Sequence, residues 1–194
     1  MAEFTLLFFK DTVKPSRYFF ISILISILIW GYAYPFPADV TPLNDASYFK
    51  TVNSMLAKAQ KSIYVIMYRA TYYEKYPDSP SNKLIISLIA AKKRGVDVSV
   101  ILDKPYKNEK TDNKTNEKIA SILSSGGVKV YFDSEEITTH SKLIIIDNRY
   151  VIIGSTNWSY HALSKNNETN VLIDSEQLAK EYIKYFEELA SLCK

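Results

Sequence analysis

Cysteine is almost missing from this chain: Cys193 stands alone near the C-terminus. A single cysteine excludes an intrachain disulfide and any cysteine-based metal cluster. Histidine is nearly as scarce, with only His140 and His161, so an imidazole-built metal centre is not expected either. No internal repeat or long low-complexity tract is present, which argues against solenoid and fibrous architectures. Neither sign of charge dominates. A net charge of +3 and a pI near 8.7 are only weak indications of a polyanionic partner. What remains is ordinary globular composition, 47% hydrophobic and 23% charged over 194 residues.

Long apolar runs are rare as well, and the exception is N-terminal. Lys10, Lys14 and Arg17 precede an uncharged run from Tyr18 to Tyr34, the order of a secretory signal. The run is short for a membrane span, which takes about 20 residues. Residues 1–34 therefore read as a signal peptide, with small residues permitting cleavage after Ala33, or as an uncleaved signal anchor. Both readings keep the basic flank in the cytoplasm and export the rest of the chain. A buried core helix fits poorly, because Pro35-Phe36-Pro37 comes directly after and the run has no polar face.

The stretch that carries chemistry is His140-Ser141-Lys142-Leu143-Ile144-Ile145-Ile146-Asp147, followed by Gly154-Ser155-Thr156-Asn157. Leu143 to Ile146 is a β-branched apolar run bounded by polar residues, which predicts a strand. Alternate side chains of a strand share a face, so His140 and Lys142 project together. Asp147-Asn148 supplies a turn, and Tyr150 to Ile153 reads as a returning strand. That hairpin carries Gly154–Asn157 back towards His140. An imidazole near neutral pKa can attack phosphorus or move a proton. Lys142 can neutralise non-bridging phosphate oxygens. Gly154, Ser155 and Asn157 can donate hydrogen bonds to developing charge.

This pattern resembles the HxKxxxxD…GSxN signature of the phospholipase D superfamily. Here it reads His140, Lys142, Asp147, then Gly154, Ser155 and Asn157, in a single copy. The resemblance runs from about Lys61 to the C-terminus and is strongest to small bacterial Nuc-type endonucleases. It implies that His140 is the nucleophile of a phosphohistidine intermediate. It also implies an acidic residue after the signature that orients the histidine, a role that falls to Glu168. Asp147 counts with the catalytic set, but its carboxylate is expected to fix the turn or accept a hydrogen bond, not to transfer a proton. The same resemblance implies a homodimer with a composite active site, since single-copy members pair their signatures.

Around the signature, the chain predicts an α/β fold: a mixed β-sheet flanked by helices on both faces. Pro35 to Leu43 reads as a linker, with Pro35, Pro37 and Pro42 close together. Asp45 to Gln60 reads as a first helix, placed with that linker ahead of a catalytic domain spanning 61–194. Ser62–Tyr68 and Val96–Leu102 read as parallel strands joined through a helix over Asn82–Arg94. A helix over Asn116–Ser124, strands over Val128–Phe132 and Asn170–Ile173, and a closing amphipathic helix over Glu176–Cys193 complete the pattern. The lysine-rich stretch Asp103–Lys114 reads either as a solvated loop or as a basic rim for a polyanion.

Phosphodiester cleavage through a covalent intermediate needs an attacking group and a second group that protonates the leaving oxygen. One imidazole cannot do both, so two chains are expected to contribute one His140 each. His161 is the intrachain competitor and reads as a surface residue. The expected function is a metal-independent phosphodiesterase that needs no cofactor. Nucleic acid, DNA or RNA, is the first substrate class, and phospholipid head groups are the alternative. Tyr72, Tyr73, Tyr76 and Trp158 are candidates for stacking on single-stranded bases, with packing as the competing role.

Overall fold

A computed structural model of the chain describes residues 35–104 and 114–193. In chain order the elements are β1 (Asp39–Pro42), α1 (Ala46–Lys58), β2 (Ser62–Met67), α2 (Pro80–Lys93), β3 (Asp97–Leu102), α3 (Lys114–Ser125), β4 (Lys129–Phe132), β5 (Lys142–Ile146), β6 (Tyr150–Gly154), α4 (Tyr160–Ser164), β7 (Asn170–Asp174) and α5 (Glu176–Leu192). The strands make one sheet in the order β1-β7-β6-β5-β2-β3-β4. β2, β3 and β4 run parallel, and every other neighbouring pair is antiparallel. The expected mixed sheet is present.

Strand alternation divides the core into two layers. Ile63, Val65 and Met67 of β2 join Ile144 and Ile146 of β5 in a layer under α1, α2 and α3. Ile66, Leu143, Ile145 and Val151 face the other way, against Ala179 and Phe186 of α5. Continuous apolar runs such as Leu143–Ile146 reflect this: both faces of the central strands are covered. α1 belongs to the first layer through the buried Tyr48, Val52 and Leu56, so it packs within the same core as the strands beyond residue 61. Helix ends agree with local chemistry. Pro80 opens α2, Gly95 comes just after it with φ 93°, and Ser175 caps α5 by accepting the Leu178 N–H. Arg94, just past the end of α2, donates to the Leu56 carbonyl of α1 at 2.9 Å.

The segment expected to be a linker is ordered differently. Asp39–Pro42 is an edge strand, paired antiparallel with β7. All four of its residues are exposed, so it carries no apolar alternation to read. Pro42 ends the strand, and an edge position tolerates it.

Among the described residues no helix is long and apolar enough to cross a membrane. The run Tyr18–Tyr34 lies outside those residues, as do Lys107 and Lys110 of the proposed basic rim. Lys104 is described, and it is paired with Glu135 at 2.7 Å.

Candidate active site

The site lies where β2, β3 and β6 end and β5 and β7 begin. The β2–β5 register sets Met67 opposite Lys142, and the ladder continues with the Tyr68 N–H donating to the Ser141 carbonyl at 3.0 Å. This brings the Tyr68 ring against His140, with centroids 4.5 Å apart and planes at 55°. Lys142 is buried, with 6% of its surface exposed, while His140 is exposed. The Lys142 ammonium donates to the His140 carbonyl at 2.7 Å and lies 3.2 Å from each ring nitrogen. It also stands 4.9 Å from the centre of the Tyr68 ring, a cation–π geometry.

These contacts set protonation. Desolvation of the His140 ring lowers its pKa, and the neighbouring ammonium lowers it further. Both effects favour the neutral imidazole, the form that carries the nitrogen lone pair an attack requires. Burial also lowers the pKa of Lys142, opposed by the carboxylates of Glu168 and Asp103.

β6 returns antiparallel, with Ile153 opposite Leu143, so Gly154 arrives at the Lys142 end. Glycine is demanded there by close approach: a Cβ at 154 would overlap Asn170 Oδ1 and the Thr169 carbonyl. The Asn170 side chain shapes the turn, accepting from the Thr156 N–H at 3.3 Å and donating to Thr156 Oγ1 at 2.8 Å. The Ser155 hydroxyl donates to the Glu168 carboxylate and accepts the Thr169 N–H at 3.0 Å. Asn166 donates to the other Glu168 oxygen at 2.9 Å. The Asn157 amide oxygen is buried without a hydrogen-bond partner among the described residues. The next residue, Trp158, is bridged to Ala70, which draws Asn157 towards the segment leaving β2.

His140, Lys142, Gly154, Ser155, Asn157 and Glu168 thus converge at one end of the sheet. Asp147 does not join them. It sits at the far end of β5, where its carboxylate accepts the Gln60, Lys61 and Ser62 N–H groups at 3.0, 2.7 and 3.2 Å. Asp147 and Asn148 both have positive φ, 56° and 59°, in the three-residue connection 147–149 between the paired Ile146 and Tyr150, where the Arg149 N–H donates to the Ile146 carbonyl at 3.1 Å. Trp158 is not a stacking platform. It is buried, and its indole N–H donates to the Tyr48 hydroxyl at 3.1 Å. Tyr72 packs against the core. His161 lines a separate surface groove with Tyr73, Tyr76 and Tyr160.

Three supporting residues escaped the sequence reading. Buried Asn116 ties the ends of β2 and β3, donating to the Tyr68 and Asp103 carbonyls at 2.9 Å each and accepting the Ala70 N–H. Asp103 accepts the Thr139 N–H at 2.8 Å and so holds the residue before His140. Tyr68 supplies the ring against which His140 rests. Tyr68 and Asp103 each end an apolar run, a cue too common to single out, and Asn116, near the start of α3, follows only polar residues. Among the described residues no group of three or more His, Cys, Asp or Glu side chains could hold a metal ion.

A family profile described as cardiolipin synthase, PLD-like domain, matches residues 52–190. The chain belongs to the phospholipase D superfamily. Within that superfamily it is 34% identical over 135 residues to a protein named phospholipase D from Rickettsia typhi, covering 69% of this chain and 58% of that protein. It therefore spans less than two thirds of that relative's length. It is also 32% identical over 131 residues to cardiolipin synthase 1 of Staphylococcus aureus, covering 66% of this chain and 24% of that one. The crystal structure of Nuc from Salmonella typhimurium, a phospholipase D family member, matches with a TM-score of 0.68 and 25% identity. That match covers 81% of this chain and 97% of Nuc.

Proposed function

We propose that this phospholipase D superfamily member is an endonuclease that hydrolyses nucleic-acid phosphodiesters through a phosphohistidine at His140. The observation that carries the chemistry is the exposed His140 ring, favoured in its neutral form, held beside the buried Lys142 ammonium. A ring nitrogen forms a bond to phosphorus as the bond to the leaving oxygen breaks, and a second imidazole gives that oxygen its proton. The second imidazole then takes a proton from water, whose oxygen displaces His140 from phosphorus. Lys142 and the Asn157 amide neutralise and hold the non-bridging oxygens. Glu168 fixes the Ser155 hydroxyl and stabilises the Lys142 charge.

The second imidazole is assigned to His140 of another copy, because the lining of the groove that holds His161 includes none of His140, Lys142 and Asn157. This makes the working form a symmetric homodimer with a composite site. The charge stabilisation comes from Lys142 and needs no metal. Nucleic acid is favoured by the match over nearly the whole of Nuc and by the single signature. A phospholipid substrate is the second reading, supported by the phospholipase D relatives and by the reading of Tyr18–Tyr34 as an uncleaved anchor instead of a signal peptide. Export to the extracytoplasmic side follows from the basic flank of that run.

The test is to incubate the full-length chain with single-stranded DNA, RNA and mixed phospholipid vesicles, with His140→Ala as control. Cleavage of nucleic acid, with label trapped on His140 by an alkaline denaturing quench under which a phosphohistidine survives, supports the proposal. Hydrolysis of vesicles alone transfers it to the second reading.

A further inference from the structure

A groove of about 510 Å³ opens beside the second signature block, with Tyr73, Tyr76, Pro80, Tyr160 and His161 in its walls. Its volume lies within the range of small-molecule sites. Tyr160 is three residues beyond Asn157, so the groove begins within about 11 Å of the phosphate-holding amide along the backbone. The two walls are tied together where the Tyr73 hydroxyl accepts the Tyr160 N–H at 3.1 Å. Tyr160 and His161 meet edge to face, with centroids 5.6 Å apart. Large aromatic surface is left open to solvent: Tyr76 is 68% exposed and Tyr160 41%.

Aromatic rings dominate the lining, those of Tyr73, Tyr76, Tyr160 and His161, and Pro80 is its one aliphatic side chain. Flat π surfaces suit the face of a nucleobase, whatever its identity. Asp78 also lines the groove; its carboxylate is paired with the Lys83 ammonium at 3.5 Å and can still accept an N–H of a base. We propose that this groove is a base-stacking subsite, which holds one nucleobase of a single-stranded substrate adjacent to the scissile phosphate. The proposal rests on the nuclease reading of the His140 site and gives it a strand preference.

The experiment measures kcat/KM of the full-length chain on a trithymidylate and on versions made abasic at one end or the other. Removing the base that occupies the groove is expected to lower kcat/KM about tenfold. The Tyr76→Ala/Tyr160→Ala double variant is expected to lose a similar factor on the intact substrate, chiefly in KM, and little more on the abasic one. Tyr76→Phe/Tyr160→Phe, which keeps both rings, is expected to retain the wild-type response. Additive losses from the base and the rings, or equal losses on every trinucleotide, would overturn the subsite and leave the nuclease reading standing. An enzyme that hydrolyses vesicles but no trinucleotide, DNA or RNA would overturn both.

Discussion

The Lys142 ammonium lies 3.2 Å from both ring nitrogens of His140 and 2.7 Å from that residue's own carbonyl. A cation in that place favours the neutral imidazole and also meets any phosphate the ring attacks. Lys142→Met should therefore lower kcat by roughly 10²–10³. It should also move the acid limb of the pH–rate profile upward, since one of two causes depressing the His140 pKa is gone. The shift is partial, because desolvation, the larger cause, remains. An unmoved acid limb in the variant would show that the ammonium does not govern the ring.

If two copies of His140 divide the work, one must be neutral and the other protonated. Each copy has a lowered pKa, so the fraction of correctly mixed pairs peaks below the ordinary histidine value of about 6.5. The profile of kcat/KM should be bell-shaped with a mildly acidic optimum. A plateau extending from neutral to alkaline pH would exclude the imidazolium as the acid.

Asp147 belongs to the signature by sequence but to the hairpin by position. Asp147→Ala removes an acceptor of three backbone N–H groups and puts alanine at positive φ. Losing charge-assisted hydrogen bonds should cost about 1.5–3 kcal/mol of stability, visible as a lower Tm. At a temperature where the variant is folded, kcat should stay within about threefold of wild type, a shift under 1 kcal/mol. A hundredfold fall in kcat with unchanged Tm would restore Asp147 to the chemistry.

Gly154→Ala should be worse than its size suggests. The added carbon overlaps Asn170 Oδ1 and the Thr169 carbonyl, and these are the groups that hold Thr156 and Ser155. Overpacking of this kind costs about 1–3 kcal/mol. Activity should fall with stability, because the Ser155–Asn157 turn moves. Normal activity and Tm would mean that β7 yields at no cost.

Chelation should leave activity intact, since Lys142 supplies the positive charge that a metal would otherwise bring. Assay after dialysis against EDTA checks this, and restoration of lost activity by a divalent ion would contradict it.

The central strands and α2 were legible because burial on both sides writes continuous apolar runs such as Leu143–Ile146 into the chain. α5 was legible from its one apolar stripe, and Phe186 and its neighbours lie as that stripe required. β1 was not, since a strand exposed on every residue has no burial to encode. The aromatic residues divided only on folding. Trp158 went to the core and Tyr76 to the surface, although composition treats them alike.

By itself, the sequence determined which atoms could do chemistry. His140, Lys142, Ser155 and Asn157 are the sole dense set of nucleophile, cation and donors, and strand periodicity already placed the first two on one face. The tertiary structure decided which of them meet. Sheet register set Lys142 against Tyr68 and His140, close contact with β7 made Gly154 obligatory, and the length of β5 carried Asp147 away from the site. Such distances depend on pairings between residues far apart in the chain, and no local pattern records them.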